Sequence, residues 1–336
     1  MSRYPNAPAT VAVIGEVLVD LATSGGADFV ALPGGAPANV AVALSRLGVP
    51  TELLARISED SFGELARDYL EANSVGCGYC VTAREPTTLA IATITADKAA
   101  TYSFYTQGTA NWQWTADELP DRLPKHVRAL VTGSLALALP PGAEVLEAFV
   151  AHEHRRGEVF IAYDPNIRPS MAATRTVEAA RVERQLALAH LVKASEDDLL
   201  WLYPDRDPIE VAHRWQQACG GWVVVTRGAQ GAYSVCPSGE AVAVAGHTVL
   251  VRDTIGADDA FLAGLLAALA DQRLFSAAPG AVLQLLTEDV VTQAMSYAST
   301  VSAIACTRAG ANPPTRDEVR EAVREEQPVA CRVDSS

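Results

Sequence analysis

Two adjacent carboxylates, Asp258 and Asp259, close the polar run Asp253-Thr254-Ile255-Gly256-Ala257-Asp258-Asp259. An apolar helical pattern follows at once, with Phe261, Leu262, Leu265, Leu266 and Leu269 recurring at spacings of three and four. Asp259 therefore falls in the first turn of a helix, beside backbone N–H groups that have no intrahelical partner. Such a terminus attracts anions, phosphate above all, because the free N–H groups and the helix dipole both favour negative charge. A carboxylate beside a phosphate-sized site can take the proton of an attacking hydroxyl. In outline this is the chemistry of phosphoryl transfer, although Asp259 taken alone also reads as a helix cap.

A second polar cluster stands near the N-terminus, in Leu32–Gly48. Gly34 and Gly35 permit a tight turn or a close backbone approach. Pro37 suits the first turn of a helix, Val40, Leu44 and Leu47 share one face, and Gly48 suits the position just past its end. Asn39 falls in the first turn, where its amide is placed to bind a hydroxyl. Upstream, the apolar run Val11–Leu21 is interrupted by Glu16 and Asp20, which reads as one buried strand whose end carries acids. Those acids are either solvated at the strand's edge or turned into a cleft at its carboxyl end, where open α/β sheets bind ligands.

The elements that must position these groups alternate regularly. Ala129–Leu137, Val159–Tyr163, Leu191–Ala194 and Trp222–Thr226 read as strands, with helical patterns between them at Ala143–Arg155, Arg175–Ala189, Glu196–Tyr203 and Pro208–Cys219. Repeated strand–helix units predict a mostly parallel sheet covered on both faces. Polar tags follow the strands: Asp164-Pro165-Asn166-Ile167-Arg168, Lys193-Ala194-Ser195-Glu196 and Thr226-Arg227-Gly228. Their convergence on one sheet edge is what a site there requires. Thr51–Ser58 reads as a further strand, Ser61–Asn73 and Val290–Thr307 as helices. Thr88–Thr95 and Thr101–Tyr105 read as a hairpin around Asp97-Lys98. The loop Gln107–Trp114 then reads equally well as part of a lid or as an edge with Trp112 and Trp114 packed beneath it.

The 336 residues carry a formal charge of −14 with no offsetting basic stretch, which argues against nucleic-acid binding. Any phosphate site must therefore be local. No apolar run approaches a membrane span, and Met1 to Thr10 lacks the pattern of an export signal, so a cytoplasmic protein is expected. Cys77 and Cys80 form a C-x-x-C pair, but no second pair or spaced histidine completes a zinc set, and they read as loop or core thiols.

Two motifs, Gly34-Gly35-Ala36-Pro37-Ala38-Asn39-Val40-Ala41 and Asp253-Thr254-Ile255-Gly256-Ala257-Asp258-Asp259-Ala260-Phe261, occur in this order across the chain. On them the sequence resembles the ribokinase-like (PfkB) carbohydrate kinases from Val11 to Pro314. The resemblance implies one α/β domain, a three-layer sandwich around a mostly parallel sheet, with a small β lid drawn from about residues 16–35 and 88–115. It implies ATP and Mg²⁺ as co-substrates and phosphorylation of a sugar hydroxyl. By position, Asp259 matches the catalytic base, and the backbone of Gly256, Ala257, Asp258 and Asp259 the anion hole. Asp20, Gly34, Gly35 and Asn39 match sugar-binding positions, with Asn166 and Arg168 as a substrate- or phosphate-side pair. Lys193 and Glu196 match a segment near the phosphates and metal, Glu196 reaching Mg²⁺ directly or through water. Thr226, Arg227, Gly228 and Gly231 match the nucleotide side, and Arg308 and Gly310 are assigned there too. Asp253 and Ile255 are candidates for K⁺. The lid residues Tyr105, Thr109 and Asn111 bear on substrate choice, and a homodimer through the lid is consistent with the resemblance.

Gly15-Glu16-Val17-Leu18-Val19-Asp20 and Asp164-Pro165-Asn166-Ile167-Arg168-Pro169 look most like fructokinases within that family. Ribose, 2-keto-3-deoxygluconate and nucleosides are the alternative substrates. One departure stands out, because the family has glycine where this chain has Asp258. Aspartate tolerates left-handed backbone better than most residues, so the loop is expected to keep its shape. Its charge beside a phosphate is expected to weaken turnover, and Asp258→Gly to raise it. The contrasting class, a catalytically weak sugar- or nucleotide-binding sensor, rests on Asp258 alone.

Overall fold

The apolar strands assemble into an eight-stranded sheet in the order Ala241–Val244, Ala232–Val235, Trp222–Thr226, Leu191–Ser195, Phe160–Asp164, Val127–Gly133, Thr10–Ile14, Thr51–Leu54. A computed structural model describes residues 9–23, 28–94 and 100–326. From Trp222–Thr226 to Thr51–Leu54 all neighbours are parallel, and the two strands Ala232–Val235 and Ala241–Val244 add an antiparallel edge. Those two edge strands were not anticipated from the sequence. Helices cover both faces. Successive side chains of Thr10–Ile14 alternate between the two cores: Val11 and Val13 join one, Ala12 and Ile14 the other. A mostly parallel sheet between helical layers is the expected sandwich.

Two apolar runs read as single strands are each two. The run Val11–Leu21 leaves the main sheet after Ile14 and resumes as Leu18–Thr23 in a separate four-stranded sheet. At the break Glu16 is buried, neither solvated nor turned into a cleft, and its carboxylate accepts from Ser134 Oγ at 2.6 Å and from the Ala136 N–H at 3.1 Å. Similarly Thr51–Ser58 divides at Ala55; Thr51–Leu54 stays in the main sheet and Arg56–Ser58 pairs with Val81–Ala83. The run from Ala129 ends as a strand at Gly133 and continues as a 3₁₀ turn, Leu135–Leu137.

The four-stranded sheet has the order Val30–Gly34, Leu18–Thr23, Leu89–Ile94, Ala100–Tyr105. Leu89–Ile94 and Ala100–Tyr105 pair antiparallel, while the turn read at Asp97-Lys98 lies outside the described residues. Trp112 and Trp114 are each 3 % exposed and pack with Leu135, Leu146 and Phe149, so that stretch anchors to the main core. Thr109 and Asn111 are also buried, the latter donating to the carbonyls of Val17 at 2.9 Å and Arg56 at 3.2 Å. Cys77 and Cys80 are free thiols in a turn, and among the described residues no cluster of three or more His, Cys, Asp or Glu is placed to hold a metal.

The helix that carries Asp259 runs Ala257–Asp271 and is buried on all sides from Asp259 to Leu269. It lies between the helices Ala36–Arg46 and Glu288–Cys306, so its start is fixed by core packing.

Candidate active site

Gly256 caps the Asp259 helix in left-handed backbone, φ 74°, a conformation glycine adopts without steric cost. Asp258 is the second residue of the helix and has no positive φ. The expectation that residue 258 needs left-handed tolerance is therefore corrected: the loop keeps its shape because Gly256 supplies the turn. Asp253 ties the loop down, accepting from the N–H of Ile255 at 3.0 Å and of Gly310 at 2.8 Å.

Asp259 is buried, and its Oδ2 accepts from Asn39 Nδ2 at 2.8 Å. Asn39 sits at the start of the second helix, Ala36–Arg46, capped by Gly35 at φ 103°. Two helix starts, far apart in sequence, thus meet at one carboxylate. The sequence placed Asn39 to bind a hydroxyl; its N–H₂ donates to Asp259, and its Oδ1 is buried without a partner. Burial raises the Asp259 pKa, against the pull of Asn39, Lys193 and Arg168, and a raised carboxylate is a better proton acceptor.

The charge of Arg168 reaches both Asp259 and Asp20. A Cβ at Gly34 would stand 2.4 Å from Asp20 Oδ2, so glycine there lets the carboxylate lie across the backbone. Burial pushes Asp20 up to about 6, opposed by the Arg168 guanidinium, whose charge also reaches Glu16, Asp258 and Asp259. Asn166 holds an uncommon positive φ of 40°, its N–H donating to Asp164 Oδ1 at 3.0 Å. Tyr105, at the end of its strand, is 58 % exposed.

Beside Ala257 and Asp258 opens a cavity of about 490 Å³, a size that admits a nucleotide. Glu196, Thr226, Arg227, Gly228, Gly231 and Asp258 line it, all assigned from sequence. His247, Thr254, Ser299 and Ser302 also line it and were missed. Ser299 and Ser302 gave no distinguishing signal, because Thr292, Gln293, Ser296 and Thr300 are equally polar on the same helix. Arg227 Nε donates to Glu196 Oε1 at 3.2 Å, which holds that carboxylate on the wall. Arg308 is not brought here: it pairs with Glu318 at 2.6 Å and lines a separate open groove. Gly310 serves Asp253 instead.

Lys193 is the least expected member. It is buried beneath the site with its ammonium 3.2 Å from Asp164 Oδ2 and 3.1 Å from Asp258 Oδ1. Burial pushes Asp164 up to about 7 although Lys193 draws it down. For Asp258 burial acts upward too, but Lys193 and a 2.7 Å hydrogen bond from Thr226 Oγ1 outweigh it and hold the carboxyl low. Asp164 itself was read only as a strand-end tag.

With this geometry in place, similarity to known proteins is informative. The family model for pfkB family carbohydrate kinases matches residues 8–318. A fructokinase of Rhizobium leguminosarum bv. trifolii is 37 % identical over 259 residues, covering 76 % of this chain and 78 % of that protein. The crystal structure of fructokinase from Vibrio cholerae O395 with fructose, ADP and calcium ion bound aligns with TM-score 0.81 at 28 % identity, covering 93 % and 98 % of the two chains. That of fructokinase from Xylella fastidiosa with bound ATP aligns with TM-score 0.86 at 26 % identity, covering 94 % and 98 %.

Proposed function

The chain belongs to the pfkB family of carbohydrate kinases, sugar phosphotransferases, and from that premise we propose that it transfers the γ-phosphoryl group of ATP to a hydroxyl of fructose. The observation that carries this reading is the place of Asp259. It stands in a helix start whose Ala257 and Asp258 line a nucleotide-sized cavity, it accepts from Asn39, and it shares the charge of Arg168 with Asp20.

In this reading Asp259, oriented by Asn39, takes the proton from the sugar hydroxyl as it attacks. The N–H groups of Gly256 to Asp259 stabilise charge on the transferring phosphoryl group. Asp20 and the Asn39 amide oxygen, together with Gly34, Gly35, Asn166, Arg168 and Tyr105, hold the sugar. Thr226, Arg227, Gly228 and Gly231 form the nucleotide side. A divalent metal, Mg²⁺ in the cell, would neutralise phosphate charge. Glu196 suits it as a carboxylate on the cavity wall, since Mg²⁺ keeps several waters and takes few protein ligands. Potassium at Asp253 and Ile255 belongs to the same proposal. The four-stranded sheet serves as the lid of a single kinase domain, and its exposed Val30 and Leu32 support a homodimer through it. No described helix is long and apolar enough to cross a membrane, and a cytoplasmic site is part of the proposal.

The test is ADP release with fructose, ribose, 2-keto-3-deoxygluconate and a nucleoside as acceptors. Fructose is expected to give the highest kcat/KM, and Asp259→Asn to lower kcat about 10²–10⁴-fold. Activity that survives Asp259→Asn overturns the base; preference for another acceptor overturns fructose. The sensor reading loses its one support, because Asp258 is paired with Lys193.

A further inference from the structure

We propose that Lys193 and Asp258 act as one charge-compensated unit, in which Lys193 is a positioning residue that makes an acid tolerable at the head of the phosphate-facing helix. The inference rests on the kinase reading of the site. An uncompensated carboxylate at residue 258 would repel a triphosphate arriving at the free N–H groups of the helix start. In this chain the Asp258 side chain is 49 % exposed on the cavity wall, but one of its oxygens is turned to inner partners. Its Oδ1 lies 3.1 Å from the Lys193 ammonium and accepts from Thr226 Oγ1 at 2.7 Å. The side chain of Lys193 is only 2 % exposed, so its charge has no bulk water to answer it and depends on carboxylate partners. Asp164, at 3.2 Å, is the other partner, and it is buried as well.

Geometry fixes the pair from two strands. Lys193 projects from Leu191–Ser195 and Thr226 from the neighbouring Trp222–Thr226, which run in parallel register with Ser195 opposite Thr226. Asp258 therefore bonds to adjacent strand ends, and its direction is set by the main sheet. The consequence is a dependence of each residue on the other. With Lys193 present, the Asp258 charge is already answered, and removing it gains little for the nucleotide. With Lys193 removed, Asp258 becomes a bare charge on the cavity wall, and removing it then restores binding. This reverses the simple expectation that Asp258→Gly raises turnover.

The experiment is a double-mutant cycle of Lys193→Met and Asp258→Gly in the full chain. It reads ADP affinity by calorimetry, the KM for ATP and kcat with fructose, and thermal melting as a control of folding. Lys193→Met is expected to weaken ADP binding and raise the KM for ATP about tenfold or more, with a smaller effect on kcat. Asp258→Gly, which keeps the backbone N–H assigned to the anion hole and removes only the carboxylate, is expected to shift both by less than about threefold, and the double variant to lie within about threefold of Asp258→Gly. Additive effects overturn the proposal, as does a double variant no better than Lys193→Met. Where Lys193→Met melts too low to assay, Asp258→Gly decides alone: ADP binding about tenfold tighter than the parent overturns compensation, and unchanged binding upholds it. The calorimetric arm needs no acceptor, so it stands even if fructose is not the substrate. Absence of any ADP binding by the parent chain would instead count against the kinase reading.

Discussion

The two principal sheets differ in how they present chemistry. In the eight-stranded sheet the strand Trp222–Thr226 is buried throughout, and so are Phe160–Asp164 and Thr10–Ile14. In the four-stranded sheet Leu18–Thr23 is buried only at its start, and Val30–Gly34 alternates between exposed and half-buried until Gly34. Groups carried by the first sheet and its helices arrive already bonded: Asp259 to Asn39, Lys193 to Asp258, Arg227 to Glu196. The second sheet contributes Asp20 and Tyr105, neither held by a side-chain hydrogen bond among those described. A site that must align reacting groups gains most where neighbours already fix the rotamers. The contrast predicts that changes on the large-sheet side act on kcat, and changes on the small sheet act on sugar affinity.

The largest test of that division is Asn39→Ala. The variant removes the 2.8 Å hydrogen bond that orients Asp259, and kcat should fall about 10–10²-fold while ADP binding is unchanged. The Asn39 bond lowers the Asp259 pKa, so its loss raises it, and the base becomes protonated at higher pH. The acid limb of the kcat profile should therefore move upward. A variant with normal kcat and only a raised KM for fructose would break the comparison, because it would make Asn39 a sugar contact alone.

Much of the large-sheet side was legible because its signals are local. Strand–helix alternation, the glycine that opens each helix and the first-turn position of Asp259 all depend on residues within a few places of one another. The strand Trp222–Thr226 and the helix Pro208–Cys219 were placed to the residue. Transfers between sheets were not legible. An apolar run looks the same whether it continues in one sheet or crosses at Gly15-Glu16 or Ala55 into another, and the partner that buries Glu16 is the distant Ser134. The direction of Asp258 was hidden for the same reason, since Lys193 and Thr226 are remote in sequence. Arg308 looked like a nucleotide contact from its place in the chain, but it pairs with Glu318 in the helix Arg316–Glu326.

A middle-sized effect belongs to Asp20. Its pKa stands at about 6, so it is charged at neutral pH and becomes protonated as pH falls through that value. If the carboxylate form accepts hydrogen bonds from sugar hydroxyls, kcat/KM for fructose should drop about tenfold for each pH unit below about 6. The saturating kcat should vary less. Asp20→Asn should flatten that limb at a lower plateau. A limb that persists unchanged in Asp20→Asn belongs to another group, with Asp164 at about 7 the next to examine.

The smallest effect is expected at Tyr105. Its ring is 58 % exposed at the end of an edge strand, so truncation leaves no cavity and strands no buried partner. Tyr105→Ala should raise the KM for fructose by no more than about threefold, under ~1 kcal/mol, and leave kcat and ADP affinity at parent values. The weakness of this effect carries information. A large fall in kcat would mean that the small sheet closes far enough to bring Tyr105 against the reacting groups, and that the alignment of Asp259 depends on the closure. The division between a preset phosphoryl side and an open sugar side would then describe only the unliganded protein. A parent-like kcat would place the whole alignment of the reaction on the large sheet, with the small one acting on affinity alone.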